Sequence, residues 1–409
     1  MLLLRNRINS ILNSWFGVML VVIALFFIQT PYFFSVFPAI IAAKNYVRLA
    51  VFLVLMICVV LLHADFRSVL REELLLWGCV IWGVVLCISM WINDKGVDYV
   101  IKDLILPSLV AILVISVFSH INAKRFLLVL FIYFLIINTI NNASVMFFNN
   151  TGIWLGPYGE MSPEYVFFSH VNGGITCGIN SILFGCLYSK SYNKNWDFVN
   201  IVNIMYSLFT AIIIDCKVQI ITYIAAGVAL GLSYFTVKKN WFMRVLRWVN
   251  LKTIMIFNVL VFLAVVVLGN TGWIEVLGMD PNMHSRRQLW DVILGSCLEQ
   301  PILGHGFISW FNAVNAYGTL KTFWHQHSIY LQILYETGLI GAAIFTFIFV
   351  VSIRSLNKSQ NINIRFIAGI LVGIFFLSMV VDICERSQIF LLLAVCYYFP
   401  KYLKRSNSV

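Results

Sequence analysis

The sequence predicts an all-α, polytopic membrane bundle, and three observations carry that prediction. Of 409 residues, 61% are hydrophobic and 11% charged, against about 25% charged in an ordinary soluble domain. The mean hydropathy of +0.90 comes from repeated apolar runs separated by short polar breaks. These runs approach the roughly 20 residues needed to cross a hydrocarbon core about 30 Å thick. One soluble core, by contrast, stops growing near 250–300 residues. Lys and Arg also collect in alternate breaks, as they do when a chain crosses a bilayer repeatedly.

The runs give about twelve spans: 15–35, 46–63, 74–92, 101–119, 126–147, 165–187, 198–214, 218–237, 253–269, 329–352, 363–381 and 387–400. Arg5 and Arg7 precede the first, and no small-residue cleavage site follows it, so it reads as a retained span. The third, rich in Trp and Val, is apolar all round and fits a lipid-facing helix. A tight turn holding Asp215, Cys216 and Lys217 joins the seventh and eighth, and the twelfth is short. The chain therefore reads as one integral membrane domain, 1–409, with both termini on one side.

The net charge of +11 raises a nucleic-acid reading. No Lys/Arg stripe or soluble basic domain exists to grip a phosphate backbone, so nucleic acid is not an expected partner. The charge follows topology instead. With the termini inside, nineteen of the 28 basic residues fall in inner segments, from Arg5 and Arg7 through Lys124 and Arg125 to Lys401, Lys404 and Arg405. That excess orients both termini to the cytoplasm. The nine cysteines are scattered singly, mostly inside apolar runs, so no disulfide framework is expected.

Two outer loops are long. One is 149–164, and the other is the large loop 270–328, between the ninth and tenth spans. The latter holds four of the seven histidines (His284, His305, His325 and His327). Its many aromatics argue against disorder, and a loop of this length is usually functional if ordered. Part of it is expected to be helical around Arg286 to Glu299, with Leu289, Val292, Ile293 and Cys297 on one face.

Basic groups converge on this outer side. Lys217 sits in the turn between the seventh and eighth spans, Arg286 and Arg287 open the helical part of the loop, and His327 closes it. Each has a blander reading: a headgroup anchor for Lys217, a solvated face for the arginines, a hydrogen-bonded loop residue for the histidine. Together they suit transfer from a phosphate or diphosphate. Guanidinium groups bind phosphate oxygens bidentately and neutralise a leaving diphosphate, and imidazole takes a hydroxyl proton near neutral pH. No acidic cluster with metal-ligand spacing accompanies them, so neither metal nor other cofactor is expected, and no Walker-type phosphate loop is present.

These segments resemble the O-antigen ligase and polymerase superfamily of bacterial envelope glycosyltransferases. The carrying residues are His327-Ser328-Ile329-Tyr330-Leu331, then Glu336-Thr337-Gly338-Leu339-Ile340-Gly341. Upstream, Arg286-Arg287-Gln288-Leu289-Trp290 is similar to the family's Arg-x-x-x-aromatic helix start. Pro301-Ile302-Leu303-Gly304-His305-Gly306 is similar to its Pro-x-x-Gly-x-Gly turn. One departure stands out: Lys217 occupies the place of a family arginine, keeping the charge but losing the bidentate fork.

The resemblance implies a GT-C-like bundle in the bacterial inner membrane, with a partly helical periplasmic loop and a periplasmic site. It implies a glycan on undecaprenyl diphosphate as donor and, on the ligase reading, the lipid A core oligosaccharide as acceptor. His327 would activate the acceptor hydroxyl, while Arg286, Lys217 and Arg287 would hold the diphosphate, without a metal and with inversion. Glu336, Tyr330, Asp382, Arg386 and His170 are supporting candidates. For His170, a hydrogen-bonded patch among glycines is the alternative, and for Asp382 and Arg386 a local ion pair or cap. The length and single dominant late loop favour ligase over polymerase. A lipid-linked sugar transporter would instead require charges at mid-span in broken helices. A structural protein that docks a partner through the large loop is the remaining alternative.

Overall fold

The computed structural model describes residues 2–28, 37–63, 66–148, 152–156, 159–166, 177–214, 217–235, 256, 260, 282–308, 311–314, 320–323, 328–358 and 386–402. Helices dominate. Helix α1 (Leu2–Leu12) meets α2 (Trp15–Ile28) at a 66° bend. Helix α3 (Pro38–Leu62) starts on a proline, which costs nothing at a first turn whose N–H groups lack partners anyway. Then come α4 (Phe66–Glu72) and α5 (Leu74–Ile92). A π-helical turn over Val100–Ile105 runs into α6 (Leu106–Phe148). That long helix breaks at Asn122 (φ −153°, ψ 84°), whose side chain accepts from the Arg125 N–H at 3.1 Å and so caps the second half.

Among the described residues, four more α-helices precede the tenth predicted span: α7 (Ile179–Ser191), α8 (Asp197–Ile213), α9 (Lys217–Phe235) and α10 (Asn282–Glu299). The last two are α11 (Ile329–Asn357) and α12 (Arg386–Tyr402). Two antiparallel ribbons sit inside the long predicted loops. One pairs β1 (Trp154–Gly156) with β2 (Gly159–Glu164), the other β3 (Phe311–Val314) with β4 (Leu320–Phe323), in register from Phe311↔Phe323 to Val314↔Leu320. The ribbons were not foreseen: the loops carry no regular alternation to announce them.

Among the described residues, six helices are long and apolar enough to cross a membrane, or seven if the bent α1–α2 pair counts as one. They match the second, third, fourth, fifth, seventh and tenth predicted spans. The ninth, apart from residues 256 and 260, and the eleventh lie outside the described residues. Of the sixth, residues 167–176 lie outside the described residues, a π-helical turn covers 177–178 and α7 follows from Ile179; the twelfth is the 17-residue α12.

Helix α5, apolar all round and expected to be lipid-facing, is exposed on one face only: Ile81, Val84, Ile88 and Trp91 are exposed, while Leu75, Leu76, Cys79, Trp82 and Leu86 are closed off. It packs on α11, where Gly78 permits close approach; a Cβ there would lie 2.6 Å from Ile348 Cγ1. Helix α12 is buried all round, its residues Ile389–Phe399 at most 4% exposed and packed against α6 and α11, and α7 is likewise buried at every position from Ile179 to Ser189. Being apolar on every side fits either environment. Small and polar positions in the neighbours decide which.

Helix α8 shows the bilayer inverting ordinary amphipathicity. Asp197, Asn200, Asn203, Ser207 and Thr210 point inward, whereas Phe198, Val202, Met205, Phe209 and Ile212 are exposed. Inside, Asn138 donates to Asn203 Oδ1 and Ser207 Oγ, both at 2.9 Å, and Asn203 donates to Ser181 Oγ at 2.9 Å. Such interhelical hydrogen bonds hold helices together where lipid offers no hydrophobic drive.

Candidate active site

Helix α10 lies across the start of α11. Leu289, Trp290, Ile293 and Cys297 are buried against Leu331 and Tyr335. Val292 was expected on that face and is 46% exposed. At 100° per residue it falls well off the 289/293/297 line, and Trp290 fills the face instead. Burial pushes the Cys297 thiol up to about 11, so it packs as a neutral group. Residue 286 stands in register one turn before Trp290, and residue 287 beside it; both are helical in backbone.

After α10 the chain turns back on α11 in a backbone clasp. His305 N–H donates to Tyr335 O at 2.7 Å and Gly306 N–H to Glu336 O at 3.0 Å. In return, Leu339 N–H donates to Pro301 O at 2.8 Å and Ile340 N–H to Ile302 O at 3.2 Å. These bonds use groups freed because α11 breaks at Gly338 (φ 60°, ψ −162°), a conformation essentially confined to glycine. A Cβ at 338 would lie 2.3 Å from Ile302 O, and one at Gly304 (φ 69°) 2.4 Å from Tyr335 O. The two glycine motifs read separately in the sequence are the halves of one joint.

The end of α5 grips the same turn. Ser89 Oγ and Asn93 Nδ2 donate to Gly304 O at 3.2 and 3.1 Å, and Lys95 Nζ donates to His305 O at 2.7 Å. Desolvation draws the Lys95 ammonium below its ordinary pKa, and the nearby Glu336 charge opposes that shift. The His305 ring stacks on Tyr335 at 4.8 Å, and its Nε2 lies 2.7 Å from Ser296 O. His305 therefore fastens α10 to α11.

Beneath the clasp lies a buried ion pair. Arg386, the first residue of α12, bonds Glu336 through Nη2, and Gln332 Nε2 donates to the other carboxylate oxygen at 3.1 Å. Glu336 is 0% exposed and Arg386 5%. The guanidinium also lies 5.4 Å from the ring centres of Trp82 and Phe307, an arrangement suited to a weakly hydrated planar cation. Both residues were supporting candidates read separately. Fifty residues and a whole predicted span divide them, so no local spacing marks the pair.

The remaining candidates are placed as follows. Lys217 is the first residue of α9. Tyr330 packs between the main core and the α10 cluster. His327, Asp382 and His170 lie outside the described residues. Ser328, next to His327, is the N-cap of α11, its hydroxyl accepting from Leu331 N–H at 3.5 Å. Sequence reading missed Ser89, which lies inside the third span, and Asn93 and Lys95, which lie in the polar break after it. Among the described residues, no three His, Cys, Asp or Glu side chains group as metal ligands. A transporter reading would call on Lys102, Asp103 and Asp382; Asp382 lies outside the described residues, and the other two are paired near a span end, Asp103 with Lys44 at 3.2 Å and Arg48 at 3.0 Å, and Lys102 with Asp98.

Residues 220–346 match the Wzy_C family model, described as O-Antigen ligase. The match covers less than a third of the chain, and it includes α10, the clasp and the Gly338 break. Lys217 stands just before it and Arg386 beyond it. No curated protein and no solved structure matches the chain. Members of that family are O-antigen ligases or polymerases, glycosyltransferase-like enzymes acting on lipid-linked glycan in a membrane. With apolar helices long enough to cross a membrane, the chain has the make-up of a multi-pass membrane protein, and its residues 220–346 match the O-antigen ligase family model, consistent with the O-antigen ligase superfamily.

Proposed function

We propose that the protein is an O-antigen ligase of the bacterial inner membrane, transferring glycan from undecaprenyl diphosphate to a hydroxyl of the lipid A core oligosaccharide. The observation that supports this best is the clasp: two motifs of the matched region interlock and set α10, which bears Arg286 and Arg287, against the start of α11, just after His327. Both termini are cytoplasmic on this reading, with loop 270–328 and the site periplasmic, as the excess of inner Lys and Arg supports.

In the step itself, the acceptor hydroxyl oxygen forms a bond to the anomeric carbon as the bond to the diphosphate oxygen breaks. The diphosphate leaves with the electron pair, held by Arg286, Lys217 and Arg287, and the hydroxyl proton passes to His327. Attack opposite the leaving group inverts the anomeric centre. Glu336 and Arg386 act in support, through the α11–α12 contact. Lys217 supplies point charge where a guanidinium would add a second hydrogen bond.

The rival within the family is the polymerase, which uses the same donor and extends another lipid-linked repeat. Deleting the gene separates them. The ligase reading expects long chains to vanish from lipid A core and to persist on the lipid carrier. Long chains still reaching the core would contradict it, and loss of chain length on the carrier would favour the polymerase.

A further inference from the structure

Between the second half of α5 and the start of α6 runs a groove of about 500 Å³, within the roughly 300–1,000 Å³ range of ligand sites. Its lining is wholly apolar: Val80, Val84 and Ile88 on one side, Ile101, Ile105 and Leu109 on the other, with Gly83 on its floor. Trp91 and Val97, also in the lining, flank the short turn that carries Lys95. Lys95 binds the clasp through His305 O and makes no ion pair among the described residues. The acidic residues nearest in sequence are Asp98, bonded to Lys102, and the exposed Asp94. From that turn, the Tyr99 ring packs at a tilt against Phe307, centroids 5.3 Å apart, and Phe307 underlies Arg386. An apolar trough therefore ends at a cationic turn that is itself part of the clasp.

We propose that this groove holds the polyprenyl tail of the lipid-linked donor, its diphosphate end directed to the Lys95 turn. The inference rests on the donor assigned above. A single polyprenyl chain, with only a methyl branch per isoprene unit, suits one narrow trough; an acceptor with several acyl chains would need a broader face. Val84 and Ile88 are 52% and 41% exposed, so a tail along them trades lipid contact for protein contact while its headgroup gains the cation.

The test uses the full-length protein in nanodiscs with a polyprenyl diphosphate bearing a diazirine in its tail. Labelling is expected to concentrate in peptides covering residues 80–109 and to be displaced by excess unlabelled polyprenyl diphosphate. Val84→Trp combined with Ile88→Trp should cut that labelling about tenfold, or ~1.4 kcal/mol, with thermal unfolding unchanged. Label falling chiefly elsewhere in the wild-type protein overturns the proposal, as does undiminished labelling in a folded double variant. Glycan transfer with no label in the groove overturns the groove alone. Labelling there without any transfer upholds the groove and counts against the ligase reading.

Discussion

Gly338→Ala is expected to destabilise the protein by about 3 kcal/mol or more and to abolish glycan transfer. The backbone at 338 lies where non-glycine residues cost roughly 1–3 kcal/mol, and overpacking adds a comparable amount. A methyl group there would meet Ile302 O at 2.3 Å and Ile302 C at 2.4 Å, both backbone atoms of the opposing strand of the clasp. No rotamer change relieves that contact, so the clasp must open and Leu339 and Ile340 lose their acceptors. Thermal unfolding in detergent measures the effect. Gly295→Ala is the control: an added Cβ in α10 meets nothing within 4 Å, and alanine is preferred over glycine in a helix by about 1 kcal/mol. The control should therefore unfold at the same temperature as the wild type or slightly higher.

Breaking the buried pair is the second large effect. Arg386→Met is expected to cost about 3–5 kcal/mol, because removing one partner leaves the other charge buried and unpaired. Here the stranded charge is the Glu336 carboxylate, 0% exposed and left with the Gln332 amide as hydrogen-bond donor. Glu336→Gln should cost less than Arg386→Met, since it keeps a polar group beside Gln332 while the guanidinium retains Trp82 and Phe307. The double variant Glu336→Met/Arg386→Met should recover most of the stability lost by Arg386→Met. A double-mutant cycle on unfolding measures this. Additive losses would show that the pair is not coupled.

The sequence discloses the fold unevenly, for physical reasons. Spans are legible because a bilayer demands length and apolarity together: α5 and α11 fall close to their predicted ranges, while α3 begins eight residues before its own. Which side of a span faces protein is less legible. In α8 the polar stripe turns inward, and in α12 uniform apolarity marks burial, whereas the same quality had suggested a lipid-facing α5. At the site, the glycines of Pro301–Gly306 and Glu336–Gly341 are readable as needing special backbone, but only the folded chain joins them across thirty residues. The Glu336–Arg386 pair and the grip of Ser89, Asn93 and Lys95 depend on contacts between distant helices, which no local period records.

The proposed chemistry is tested most directly by giving purified protein the undecaprenyl-diphosphate-linked glycan and lipid A core acceptor, with His327→Ala in parallel. The account predicts glycan on the core with the wild-type protein. In the variant it predicts a fall in transfer of about 10²–10⁴-fold, the usual contribution of a general base, with donor binding retained. Transfer by His327→Ala at the wild-type rate would contradict it.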